Sequence, residues 1–323
     1  MNILITGVAG FIGSNLASRL LQEGHKIVGL DNLSYGLREN VPSGIDFYQN
    51  DIREKGIYRL FKGVDVVFHL AAKNCISDCQ NDPVETADIN VMGTVNVFEA
   101  AKRTGVKKVI YAESSAMYEG SDIFPTPESE VRPKSFYAVS KLSSMYFAEA
   151  YQRFSGSQGN LGTSPLTPNA LKFTALRYFC VYGPVQDYRR TIPPAMSAFI
   201  IKLLKGDIPI IYGTGEKRRD FVYVDDINDF HMLCLTDSRT DNRVFNLGSG
   251  VNYSVNEIYQ MISKLLDIRI PPQKMPDLPG EAEITLADIT EAKKLGWSSK
   301  TDICQGLLNA IAYIKSEIAK GNI

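Results

Sequence analysis

The chain has 323 residues, 44% of them hydrophobic and 22% charged, with 35 Lys and Arg against 36 Asp and Glu for a formal net charge of −1. That length is about twice a ~150-residue domain, and the composition excludes long disorder, collagen-like repeats and coiled coil. Balanced charge leaves no global field to attract nucleic acid or an anionic membrane, so an anionic ligand has to be held locally.

In chain order, short apolar runs alternate with helical patterns, as expected of a parallel sheet covered on both faces. Strands are predicted near Asn2 to Thr6, Lys26 to Leu30, Asp46 to Gln49, Asp65 to Leu70, Lys107 to Ala112 and Lys172 to Arg177. Between them, Val84 to Arg103 reads as a helix, with Val91, Val95, Phe98 and Ala101 recurring at helical steps. A second helix from Phe136 to Phe154 brings Tyr137, Lys141 and Ser144 to nearly one face. The alternation predicts an α/β fold with a doubly wound parallel sheet of the Rossmann type.

Between Phe154 and Phe173 the pattern gives way to a run rich in Gly, Ser, Pro and Asn, an exposed loop that is either a functional lid or a poorly ordered insertion, the composition favouring the second. Beyond Arg177 the elements become shorter and more mixed: a helix from about Pro194 to Lys205, F-V-Y-V-D-D-I from Phe221, and V-F-N-L-G-S-G from Val244. Ser254 and Glu257 have the spacing of a capping box, and an amphipathic helix closes the chain from Asp302 to about Ala319. This predicts a dinucleotide-binding domain over residues 1–177 and a smaller mixed α/β substrate lobe over 178–323, with about 221–248 returning to the first domain.

Five cysteines without a dense framework point to a reduced, intracellular protein. Cys75 and Cys79 stand one helical turn apart, but His25, His69 and His231 offer no ligand spacing, so packed or pocket-lining thiols are expected and no metal. No run reaches the ~18 to 20 apolar residues of a membrane span. With the first strand starting at Asn2, there is no room for a signal peptide before it, and the expected compartment is the cytoplasm.

Thr6 to Gly13 reads T-G-V-A-G-F-I-G, directly after a strand and opening a helix. Glycines at 7, 10 and 13 let the backbone approach a pyrophosphate, whose charge meets the N–H groups and positive end of the helix. Asp31, at the end of the second strand, suits both hydroxyls of an adenosine ribose and would repel a 2′-phosphate; the nearest arginine, Arg38, is several residues away. NAD is therefore favoured over NADP. Asp51 and Ile52 follow the third strand, where they could border the adenine, Asp51 being equally suited to cap a helix.

Tyr137 and Lys141 form Y-x-x-x-K, a step that puts both on one helix face. A nearby ammonium favours the phenolate and makes the tyrosine a usable base. E-S-S-A-M-Y ends the fifth strand, so Ser114 or Ser115 lies at the carboxyl edge of the sheet, where doubly wound folds bind ligands.

T-G-V-A-G-F-I-G, D-N-L-S-Y-G, H-L-A-A, S-S-A-M-Y, Y-A-V-S-K, R-Y-F-C-V-Y-G-P and R-R-D-F-V-Y-V-D-D together resemble the extended short-chain dehydrogenase/reductases. The likeness is closest to the nucleotide-sugar epimerase and dehydratase branch, such as UDP-hexose 4-epimerases, and covers nearly the whole chain outside residues 155–170. For the cofactor, the resemblance implies NAD contacts from Gly7, Gly10, Phe11, Ile12, Gly13, Asp31, Asn32, Asp51, Ile52, Ala71 and Tyr178, with Lys141 on the nicotinamide ribose. It makes Tyr137 the base and Ser114, four residues before Tyr118, the catalytic hydroxyl. On the substrate side it implies Arg219 on a diphosphate and Lys73, Ser115, Cys180 and Thr285 around the sugar, a small Thr285 leaving room for a 2-acetamido group.

The implied reaction inverts C4 of a UDP-linked hexose through a transient 4-keto sugar. A homodimer built on the helices Val84 to Arg103 and Phe136 to Phe154 is also implied. Departures from the pattern are Ser115 and Ala116 where dehydratases carry an acidic pair, Cys180 in place of Asn, and Leu278 in place of an arginine, for which Lys274 or Arg190 could compensate. Lys73 and Glu113 bring charge to positions that are often uncharged. The alternatives are a nucleotide-sugar decarboxylase, dehydratase or reductase of the same family, or a non-catalytic NAD-binding sensor.

Overall fold

In the computed structural model, which describes residues 1–154, 170–189, 192–277 and 282–323, the apolar runs of the first half become the strands of one sheet. Most of the predicted insertion, together with Arg190 and Leu278, lies outside the described residues. Two compact units divide the chain: one comprises Met1–Gly120, Val131–Arg177 and Phe230–Phe245, the other Ser121–Glu130, Tyr178–Asp229 and Asn246–Ile323.

The first half runs β1 (Asn2–Thr6), α1 (Phe11–Gln22), β2 (Lys26–Asp31), β3 (Asp46–Gln49), β4 (Val66–His69), α2 (Ile76–Asn81), α3 (Pro83–Ala87), α4 (Thr94–Thr104), β5 (Lys108–Ser114), α5 (Phe136–Phe154) and β6 (Lys172–Tyr178). There follow β7 (Cys180–Tyr182), α6 (Ala195–Lys205), β8 (Ile210–Tyr212), β9 (Arg218–Tyr223), α7 (Val224–Thr236), β10 (Arg243–Leu247), β11 (Asn252–Ser254), α8 (Val255–Leu266), β12 (Gln273–Met275), α9 (Thr290–Lys293) and α10 (Ile303–Ala319).

The main sheet has seven strands in the order β10-β6-β5-β4-β1-β2-β3. Pairing is parallel from β5 through β3, with Thr6 opposite Leu30 on one side and His69 on the other. This is the doubly wound order, whose reversal between β1 and β4 opens a crevice beyond the carboxyl ends of the strands. Buried Leu4, Val67, Val109, Phe98, Ala101, Tyr111 and Ala175 form one core between the sheet and its helices. Phe98 stands edge-on to Tyr111 at 5.7 Å and stacks on Tyr151 at 5.6 Å.

The helix expected over Val84 to Arg103 is broken into α3, a π turn over Asp88–Gly93 and α4. Side-chain and packing demands explain the wider turn. A Cβ on Gly93 would come within 2.6 Å of the Ile52 side chain, and Asn90 reaches across to the backbone of Lys73. Periodicity alone does not reveal such a turn, because the apolar spacing on either side stays helical.

The second unit carries a three-stranded sheet in the order β11-β9-β7 and the two-stranded β12-β8 pair. Its helix α8 begins with the expected capping box: Ser254 Oγ accepts from Glu257 N at 3.1 Å and Ser254 N donates to Glu257 Oε2 at 2.7 Å. Asp302 caps α10 by accepting from Cys304 N at 2.9 Å. Replacing Ser254 with Ala removes an acceptor that satisfies one of the helix's first N–H groups. Chemical denaturation of that variant should show a loss of about 1 kcal/mol.

Candidate active site

Three backbone segments crowd together at the carboxyl end of β1. Gly7 has φ +75°, and a Cβ there would lie 2.7 Å from Ala71 N; one on Gly13 would lie 2.1 Å from Gly7 O. Gly7 N donates to Leu30 O at 2.8 Å, and Gly10 N donates to Gly7 O at 3.1 Å. Helix α1 then starts from Gly10 without a side-chain cap or an acidic first turn. The N–H groups of Phe11, Ile12 and Gly13 precede the first helical bond, from Ser14 N to Gly10 O at 3.0 Å. This is a cradle that accommodates an anion against bare backbone, and it fits the pyrophosphate of a dinucleotide.

Asp31 closes β2 beside the cradle. Its Oδ2 accepts from Ala9 N at 2.9 Å and its Oδ1 from Leu33 N at 2.8 Å, leaving each oxygen a further lone pair for a ribose hydroxyl. Burial pushes the carboxyl up, while the two N–H groups pull it back. Arg38 lies over the Phe47 ring at 4.5 Å. Asn32 donates to Asp51 Oδ2 at 2.9 Å. Asp51 accepts from Arg53 N and Nε, each at 2.9 Å, and caps no helix, the next helical turn starting from Glu54 without a side-chain cap; the guanidinium holds its carboxyl down to about 2. Ile52 is buried in the core.

Beneath the cradle, a chain of hydrogen bonds links β1 and β4 to the π turn. Thr94 Oγ1 donates to Asn90 O at 2.6 Å, so at 2.9 Å it accepts from the Nε2–H of His69. The bare Nδ1 then accepts from Thr6 Oγ1 at 2.7 Å, and that hydroxyl accepts in turn from Ala71 N at 3.2 Å. Burial holds His69 down to about 3, which keeps this neutral tautomer in place at physiological pH.

Ser114 ends β5 and caps a short 3₁₀ turn over Ser115–Tyr118, its Oγ accepting from Ala116 N at 3.2 Å. On α5, both Tyr137 and Lys141 are buried, and Lys141 Nζ donates to Ala112 O at 2.8 Å. Burial lowers the Lys141 pKa to about 8 against the opposing pull of Glu113 and Cys79. Asn90 pins the same helix: its Nδ2 donates to Ser140 Oγ at 3.0 Å and to Lys73 O at 2.9 Å, and its Oδ1 accepts from Lys73 N at 2.8 Å. Ser144 Oγ donates to Asn90 O at 2.8 Å. Sequence reasoning missed Asn90, because its task depends on a π turn with no periodic signature.

Glu113 receives an account that the sequence withheld. Its Oε2 accepts from Arg177 Nε at 2.8 Å and its Oε1 from Tyr111 Oη at 2.9 Å, with side-chain exposures of 0% for Glu113 and 1% for Arg177. Lys73 is also committed, its Nζ donating to Glu85 Oε2 at 2.5 Å. Cys79 Sγ faces Lys73 O at 3.5 Å, and Cys75 Sγ lies 3.1 Å from Ser77 Oγ. Among the described residues, no group of three or more His, Cys, Asp or Glu is placed to hold a metal ion.

The second unit holds the other candidates. Cys180 starts β7, opposite Phe221 of β9, and Tyr178 closes β6. Arg219 NH1 donates to Arg218 O at 3.0 Å, and Thr285 Oγ1 accepts from Asp220 N at 3.1 Å. Asp220, fully buried, accepts from the N–H groups of Ser249 (2.6 Å), Gly250 (3.0 Å) and Ala287 (3.0 Å), fastening the strand that carries Arg219 to the segment that carries Thr285. Lys274 Nζ donates to Thr214 O and to Asn256 Oδ1.

Two outcomes are expected. Gly13→Ala should weaken NADH binding at least about tenfold in a fluorescence titration, whereas Gly56→Ala, whose Cβ would meet nothing within 4 Å, should leave it unchanged. For His69 the folded pKa lies below the unfolded value of 6.5, so its contribution to stability is complete above 6.5 and is lost as the pH falls toward about 3. Denaturation midpoints measured from pH 7 down to pH 4 should therefore fall less steeply in His69→Gln than in the parent protein.

The sequence profile described as the NAD dependent epimerase/dehydratase family matches residues 3–248. A UDP-glucose 4-epimerase of Mycolicibacterium smegmatis is 33% identical over 328 residues, covering 98% of this chain and 99% of the relative. The crystal structure of a UDP-glucose 4-epimerase with UDP-glucose from Thermotoga maritima is 33% identical, with TM-score 0.91 over 98% of this chain and 100% of that one. A UDP-N-acetylglucosamine 4-epimerase from Methanobrevibacter ruminantium, in complex with UDP-N-acetylmuramic acid, is 30% identical with TM-score 0.89 over 98% of each chain. With most of its length matched by the profile and nearly all of it by these relatives, the chain belongs to the NAD dependent epimerase/dehydratase family.

Proposed function

We propose that this protein is an NAD-dependent 4-epimerase of a UDP-linked hexose. The observation that carries the reading is the buried ammonium of Lys141 one helical turn from Tyr137, beside the strand end that bears Ser114, in a chain aligned end to end with named UDP-sugar 4-epimerases. When bound, NAD supplies a hydride acceptor at the sugar carbon and then returns the hydride.

The chain's own residues handle the proton. Tyr137 Oη, as phenolate, takes it from the 4-hydroxyl, and Ser114 Oγ steadies that oxygen. Lys141 spends one N–H on Ala112 O, which fixes its direction and leaves two for the cofactor ribose and the phenolate. The cradle at Gly7, Gly10 and Gly13 and the Asp31 carboxylate hold the dinucleotide, while Arg219 offers a planar fork to the substrate diphosphate. Ser115 and Ala116, which follow Ser114, supply neither the acid nor the base that eliminating water across C5 and C6 demands. That favours epimerisation over dehydration.

The reading includes a homodimer and a cytoplasmic setting. Helix α5 exposes Phe136, Val139, Tyr146 and Phe147, and Val84 and Met92 lie exposed on the preceding helical stretch, an apolar set that a second copy would cover. All five cysteines are free thiols, which suits a reducing compartment.

Purified protein incubated with UDP-Glc, UDP-GlcNAc and UDP-GlcA should invert C4 of at least one, by product analysis; inversion of none would refute the proposal. Tyr137→Phe should lower kcat by about 10²- to 10⁴-fold while NAD binding is retained. Sedimentation at micromolar concentration should give the dimer mass, and Phe147→Glu should give the monomer.

A further inference from the structure

We propose that Glu113 and Arg177 are positioning residues that fix Ser114, Tyr137 and Lys141 in one arrangement, an inference resting on the reading that those three move the proton. Alternation along β5 turns Glu113 to the face opposite Ser114, and that face is the core. A lone carboxylate there would be strongly disfavoured, and the partner it receives is a guanidinium as deeply buried as itself.

What the guanidinium does beyond neutralisation gives the pair its role. Arg177 directs Nε to Glu113 on β5, NH1 to Tyr118 Oη at 2.9 Å and NH2 to Met145 Sδ at 3.2 Å. Tyr118 closes the 3₁₀ turn that Ser114 caps, and Met145 lies one helical turn beyond Lys141 on α5. One rigid planar fork thus holds the strand, the turn and the helix that carry the three proton-handling groups. Tyr111 Oη occupies the second carboxylate oxygen and stops Glu113 from rotating away.

The pair also acts through charge. The groups acting on Lys141 are Glu113 from β5 and Cys79 from α2; His69 from β4 is held neutral, and Tyr137 lies one turn away on the same helix. Glu113 opposes the effect of burial and favours the protonated form of Lys141. A packed apolar pair could be equally stable at these positions. Retaining the charges therefore serves the neighbours.

The test compares wild type with Glu113→Gln and with the apolar double variant Glu113→Leu, Arg177→Met. Two readouts are used: kcat and KM on whichever UDP-sugar the wild type inverts, and the tyrosinate absorbance titration of Tyr137, taken as the difference between each protein and its Tyr137→Phe counterpart. Glu113→Gln should lower the denaturation midpoint, reduce kcat at least about tenfold with little change in KM, and move the Tyr137 titration to higher pH. The double variant should recover the denaturation midpoint but neither kcat nor the titration. If Glu113→Gln fails to fold, the double variant alone carries the test. Wild-type kcat or a wild-type Tyr137 titration in a stable variant would overturn the proposal. A displaced titration in a protein that inverts none of the sugars would refute the epimerase reading and leave the positioning role standing.

Discussion

The crowding of Gly7, Gly13 and Ala71 is the constraint on which the rest of the first unit depends. Backbone meets backbone there with no room for a side-chain carbon, so the loop after β1, the start of α1 and the segment after β4 share one geometry. The helix start is thereby held bare beside the sheet edge, and Asp31 locks the loop from the other side through Ala9 N. An anion-binding surface made of main chain requires only that nothing else occupy it.

From that point the order propagates by hydrogen bonds whose directions are all determined. Ala71, Thr6, His69 and Thr94 form a line ending on the Asn90 carbonyl, which also receives Ser144 of α5. The Asn90 side chain holds Lys73 by both its N–H and its carbonyl and reaches Ser140. Cofactor cradle and proton-handling helix are therefore joined through buried polar groups that are each satisfied, an arrangement that fixes one packing more firmly than apolar contact would.

Much of this was legible in the sequence because it rests on local or periodic signals. The glycine spacing, the acidic residue closing the second strand, the four-residue step from Tyr137 to Lys141 and the capping box at Ser254 each read as themselves. What stayed hidden depends on partners distant in sequence. Glu113 looked like an anomaly until Arg177, 64 residues away, supplied its counterion. Asn90 and His69 were ordinary polar residues until the fold put them in one chain. The pairing of Asp51 with Arg53 was not readable, because it depends on where the Arg53 side chain points.

The π turn at Asp88–Gly93 makes chain length there a structural variable in its own right. It holds one more residue than an α-helical turn, and each residue in a helix advances the following side chains by about 100°. Because the wide turn absorbs that extra residue, α3 and α4 keep the phase of an ordinary helix, and deleting one residue would restore regular pitch without re-phasing α4. What would be lost is local, namely the widened turn that aims the Asn90 amide at Lys73 and Ser140. The extra residue thus serves the polar linkage between this stretch and α5 rather than the packing of α4.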